Sequence, residues 1–73
     1  MTNRGRMDIT VLLPKIVYIF ELKMNQSAAT AIEQIKDRDY AAKYRASGRH
    51  IVAVGIALST KERVVEEILF EEI

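Results

Sequence analysis

With 73 residues the chain has room for one domain, and a domain of that size buries only about 60% of the surface its unfolded form exposes. It has no cysteine and one histidine, which excludes disulfide staples, thiolate zinc sites and histidine-rich metal centres. The composition, 49% hydrophobic and 29% charged with a net charge of +1, is globular rather than disordered and leaves nucleic-acid binding to a local basic patch.

Residues 1–5 are polar and expected to be ragged, and the polar stretch 1–7 lacks the apolar core of a signal peptide. Over residues 6–13 the chain alternates, with Met7, Ile9, Val11 and Leu13 on one side and Arg6, Asp8, Thr10 and Leu12 on the other, which is strand periodicity. Pro14-Lys15 reads as a turn. Residues 16–24 form a second strand, rich in β-branched and aromatic residues and apolar on both faces. It is therefore expected to be central and covered on both sides. Its longest unbroken apolar run, residues 16–20, is far short of the roughly 20 residues that span a membrane, so no membrane association is expected. Cytoplasm is the default compartment.

Asn25 or Ser27 is placed to cap a helix. Residues 28–46 are rich in helix formers, with a thin apolar stripe through Ala28, Ala31, Ile32, Ile35 and Ala42 and a solvated side at Lys36, Asp37, Arg38 and Asp39. A break at Asp39-Tyr40 would make two helices of it; the pattern is compatible with one or two. Gly48 fits the end. Residues 50–58 are a third, nearly uniform apolar strand. After a turn at 59–62, residues 63–71 form an edge strand whose glutamates, with Glu72 just beyond, discourage association. The order is β-β-α-β-β, an α/β fold with a mixed sheet, and a right-handed crossover sets the third strand parallel to the second.

If the first two strands form a hairpin on Pro14-Lys15, Leu13 faces Ile16, Leu12 faces Val17 and Asp8 falls opposite Glu21, with Lys23 two residues on along the same face. A three-residue loop would instead set Asp8 opposite Phe20 or Leu22. Two opposed carboxylates beside the apolar Val17 and Ile19 are costly unless neutralised. All-oxygen ligands suit Mg²⁺ or Mn²⁺, and the Lys23 ammonium could orient a water or stabilise charge on a phosphate. The competing reading of the same register, in which Arg6 faces Lys23, is a diagonal surface salt-bridge network of little energetic weight. His50 opens an apolar strand and reads as a packing or surface residue. Arg38, Lys43, Arg45 and Arg49 read either as a phosphate-contacting patch or as a solvated face that suits a helix C-terminus. Tyr40 and Tyr44 are expected to pack on the sheet.

The run GRMDITVLLPKIVYIFELKM, residues 5–24, resembles the core motif of PD-(D/E)XK nucleases, an Asp on one strand followed by Glu-x-Lys on the next. It is most similar to the branch found as the C-terminal domain of AAA-ATPase-like proteins, in which a GR-x-D strand precedes a Y-I-x-E-x-K strand. A helix with AL-x-Q-I, a Tyr and a strand ending G-I-x-F-S then follow. Here these read Gly5-Arg6-Met7-Asp8, Tyr18-Ile19-Phe20-Glu21-Leu22-Lys23, Ala31-Ile32-Glu33-Gln34-Ile35, Tyr40, and Gly55-Ile56-Ala57-Leu58-Ser59. Ile32 and Leu58 stand where the family has Leu and Phe, both tolerable swaps in a core. The resemblance implies a restriction-endonuclease-like fold and Mg²⁺-dependent hydrolysis of DNA phosphodiesters. On it, Asp8, Glu21 and the backbone carbonyl of Leu22 would bind the metal, Lys23 would be the catalytic lysine and Gln34 would face the site. An AAA-ATPase-like domain in a parent protein would be a partner. The family's helix and strand that precede the Asp-bearing strand have no counterpart here, so a single truncated domain over residues 1–73 is expected. With a strand and one helical layer absent, self-association is expected too. A catalytically idle interaction or dimerisation module derived from the same fold is the alternative to a nuclease.

Overall fold

Alternating and β-branched residues become strands, and the helix formers between them become a short helix. The computed structural model describes residues 6–73, with β1 (Arg6–Leu12), β2 (Ile16–Met24), α1 (Ala28–Asp37), a 3-10 helix (Ala42–Ser47), β3 (His50–Ser59) and β4 (Val64–Glu72). The ragged start expected over residues 1–5, and Gly5 of the GR-x-D segment with it, lies outside the described residues. The four strands form one sheet in the order β1-β2-β3-β4. β1 and β2 are antiparallel, β2 and β3 parallel, and β3 and β4 antiparallel. This is the mixed α/β sheet with one main helix that the resemblance implies.

The β1–β2 turn closes with the Leu13 amide donating to the Ile16 carbonyl at 2.9 Å. At the far end of β2, Asn25 takes a left-handed conformation, φ 59°. Its side chain bonds Thr60 in the β3–β4 turn, through Nδ2 to Oγ1 at 2.9 Å and from the Thr60 amide to Oδ1 at 3.2 Å. Ser27 then caps α1, its hydroxyl accepting from the Thr30 amide at 3.1 Å.

Of the two readings of residues 28–46, the one with a break at Asp39-Tyr40 holds. α1 ends at Asp37, and Asp39 adopts φ 49°, a left-handed conformation that Asp tolerates better than most residues. The chain bends there and continues as the 3-10 helix, which Gly48 ends at φ 77°. What outweighs helix propensity is packing: the bend seats Ala41, 1% exposed, in a core with Val17, Ile19, Ile32, Ile35, Ile51 and Ala53, against which Tyr40 and Tyr44 also lie. A correction concerns β2, expected to be covered on both sides. It is central in the sheet, but only its Val17–Lys23 face is covered, by α1; Tyr18, Phe20 and Leu22 on the other face are half-buried. Among the described residues no helix is long and apolar enough to cross a membrane.

Candidate active site

The hairpin register decides which side chains meet. Asp8 pairs with Glu21 and Arg6 with Lys23, while Phe20 and Leu22 pair with Ile9 and Met7, so the three-residue-loop alternative is out. Directly opposed residues hold their Cβ atoms about 4.5–5.5 Å apart. Because strand side chains alternate, Asp8, Glu21 and Lys23 share the face that α1 covers. Leu22 lies between the last two with its side chain on the opposite face, so only its backbone can serve this side.

Burial differs sharply along the set. Glu21 is 0% exposed and Lys23 6%, whereas Asp8 is exposed. In β3 their register neighbours are Gly55 and Ala57, and the small residues let the first turn of α1 descend onto the sheet. A Cβ on Gly55 would stand 2.3 Å from the Ala28 carbonyl oxygen and 3.0 Å from Ile32 Cγ1. The helix start is thus clamped beside Glu21, and Glu67 of β4 accepts from the Ala28 amide at 3.2 Å on the same side. A carboxylate and an ammonium taken out of water next to Val17 and Ile19 cost several kcal/mol each unless neutralised in place. A strand with only a packing role would carry valine or isoleucine there. The surface-network reading fails on this point, since Glu21 and Lys23 are buried.

The bend at Asp39 gives the site a further member that periodicity could not announce. It turns Tyr40 back over β1, where its hydroxyl donates to Asp8 Oδ2 at 3.4 Å and accepts from Arg38 Nη1 at 3.3 Å. Both bonds are long, so they orient more than they stabilise. Gln34 is half-buried on α1, and its side-chain carbonyl oxygen is buried with no hydrogen-bond partner among the described residues. Beside Asp8 opens a cleft of about 460 Å³ whose lining includes Thr10, Ile19, Tyr40 and Lys43.

The basic residues do not form one patch. Arg38 and Lys43 border the Asp8 side, Arg45 pairs with Asp39 at 3.5 Å, and Arg49 donates from Nε to the Pro14 carbonyl at the hairpin. His50 is exposed, its Nδ1 2.8 Å from Glu72 Oε2. The β4 glutamates do more than fence an edge: Glu71 pairs with Lys36, and Glu67 reaches the helix start.

Among the described residues no group of three or more His, Cys, Asp or Glu side chains is gathered to hold a metal ion. Asp8 and Glu21 with a backbone carbonyl are nonetheless an all-oxygen set of the size Mg²⁺ uses, since that ion binds through one or two carboxylates and keeps several waters. One carboxylate buried and its opposite exposed fits an ion held at the rim of the helix–sheet layer.

A sequence model of the PD-(D/E)XK nuclease superfamily matches residues 1–68. The chain is 40% identical over 74 residues to "Uncharacterized protein in vnfD 5'region" from Azotobacter chroococcum mcd 1, a match that takes in 99% of this chain and 14% of that relative. The chain therefore spans about one seventh of the length of that protein. No solved structure matches.

Proposed function

The chain belongs to the PD-(D/E)XK nuclease superfamily, and from that premise we propose that it hydrolyses DNA phosphodiesters with Mg²⁺ or Mn²⁺ held by Asp8, Glu21 and the Leu22 carbonyl. The observation that carries this reading is the wholly buried Glu21 directly opposite Asp8, with the nearly buried Lys23 on the same face. When bound, the ion supplies Lewis-acid polarisation of a phosphoryl oxygen and a more acidic water.

The chain's own residues do the rest. Asp8, exposed at the cleft, would offer its carboxylate to the ion, and Tyr40 holds that carboxylate in orientation. Lys23, fixed by burial, offers its ammonium to the non-bridging oxygen that gains charge as water adds to phosphorus and the P–O bond to the leaving group breaks. Placed in a poorly hydrated layer, that charge is worth far more than it would be in water. Gln34 supplies an acceptor that can orient a water. Arg38 and Lys43 beside the cleft suit the flanking phosphates, a contact that carries no sequence information.

The test is nicking of plasmid and branched DNA in Mg²⁺ or Mn²⁺ by the chain and by its Asp8→Ala, Glu21→Ala and Lys23→Ala variants. The proposal expects activity that chelation removes and that each substitution lowers by at least about a hundredfold, the scale of a lost electrostatic contact in a transition state. The second reading, a catalytically idle association module, is favoured by the uncovered apolar face of the sheet. Inactivity of the unmodified chain, with metal bound, would decide for it.

A further inference from the structure

The sheet lays one face against α1 and offers the other to solvent. On that second face Ile9 and Ile68 are each 50% exposed and Phe70 66%. Phe20 and Ile56 lie between them, and with Ile9, Val11 and Leu22 they line a shallow apolar groove of about 270 Å³. Among the described residues the acidic and basic side chains on it are His50 and Glu72, which meet at one end with Nδ1 2.8 Å from Oε2.

The apolarity of this face is maintained by a specific device. Counting back from Phe70 and Ile68, strict alternation would put Glu66 on the open face. Instead the register shifts between Ala57 and Leu58: Glu67 pairs with Ala57, Val65 pairs with Leu58, and Glu66 is the extra residue. Val65, 52% exposed, takes the place on the open face. Glu66 and Glu67 both line a cleft on the helix side with Asn25 and Ser27. A bulge usually re-aims side chains or ends pairing; this one removes a carboxylate from the middle of an apolar surface and replaces it with a valine. Such a substitution has no use on a face that stays in water.

We propose that the open face is the interface of a symmetric homodimer, two copies stacking sheet on sheet. Strand spacing of about 4.8 Å and a rise of about 3.3 Å per residue give the face roughly 500–600 Å². Two such faces remove roughly 1,000–1,200 Å² from water, which reaches the size at which specific association begins. An apolar patch of that extent sits at the top of what monomers expose. A second copy suits it better than an unlike partner. Apart from His50 and Glu72 at its end, the face offers no acidic or basic side chain by which a charged partner would be selected, and a flat apolar sheet is complementary to itself across a two-fold axis. Asp8, Glu21 and Lys23 lie on the opposite face, so dimerisation leaves their site open and does not depend on the proposed chemistry.

The experiment is sedimentation equilibrium of the 73-residue chain, joined to methyl contacts measured between labelled and unlabelled copies in a mixed sample. The proposal expects twice the chain mass of 8.3 kDa and intermolecular contacts from Ile9, Ile56 and Ile68. It also expects Phe70→Glu to weaken association roughly thirtyfold or more, the scale of an interface hot spot. Because that variant loses the partner's stabilisation and can unfold, the contacts in the unmodified chain stand as the independent criterion. A folded monomer, a dimer whose contacts lie on the α1 side or along the β1 or β4 edge, or assembly without a defined mass would each overturn it.

Discussion

Gly55→Ala probes how closely α1 must sit on the sheet beside Glu21. The added Cβ would stand 2.3 Å from the Ala28 carbonyl oxygen and 3.0 Å from Ile32 Cγ1. Carbon and oxygen rest at about 3.3–3.6 Å even in their closest favourable contacts, so the helix start must retreat by about 1 Å. The obstructing atom is backbone, and no rotamer change relieves it. The same turn is held by the Ser27 cap and by the bond from the Ala28 amide to Glu67, so retreat loosens both. Overpacking of this kind costs about 3 kcal/mol, the upper end of the usual range, and alanine's lower unfolded-state entropy returns about 0.4–1 kcal/mol. The net loss of about 2–2.6 kcal/mol lowers the melting temperature by roughly 8–20 °C in a domain of this size. It is also a large share of a total stability of roughly 4–11 kcal/mol. Thermal and urea denaturation followed by circular dichroism measure it, the slope of the urea transition staying unchanged. A melting temperature within about 2 °C of the unmodified chain would refute the clamp.

Ser27→Ala removes the hydroxyl that accepts from the Thr30 amide and should lower stability by about 1 kcal/mol, read from the urea midpoint. Tyr40→Phe keeps the ring on the core and removes the hydroxyl that meets Asp8 and Arg38. Stability should change by less than about 1 kcal/mol, as befits long hydrogen bonds, while Mn²⁺ affinity falls measurably in titration calorimetry. Replacing Glu21 and Lys23 together, by Leu and Met, fills the same space without buried charge. The double variant should gain about 1–4 kcal/mol in metal-free denaturation and lose all nicking activity, the trade expected where stability is given up for function.

Much of the fold is legible in the residues because periodicity and turn chemistry agree. Pro14-Lys15 between two alternating runs sets the register that brings Asp8 opposite Glu21, and the crossover through α1 sets β3 parallel to β2. Residues 38–47 were harder to read because Tyr, Ala, Lys and Arg all suit a helix. The break depends on one aspartate taking a left-handed conformation and on Ala41 and Tyr44 finding the core, both long-range outcomes. Alternation on β2 shows that Tyr18, Phe20 and Leu22 form an apolar face. It cannot distinguish a face covered by the chain's own elements from one offered outward. In β4 the bulge at Glu66 hides from any period-two reading. The candidate site was partly legible for similar reasons: Asp8, Glu21 and Lys23 follow from register, while the Tyr40 hydroxyl reaches Asp8 across 32 positions of sequence with no local pattern to mark it.

Titration calorimetry of Mn²⁺ or Mg²⁺ into the unmodified chain, Asp8→Asn and Glu21→Gln tests the central claim most directly. Two carboxylates forming one site predict binding of a single ion by the unmodified chain and its loss in both variants, with each variant shown to be folded. An unmodified chain that binds no ion, or a Glu21→Gln variant that binds as well as the original, would contradict it.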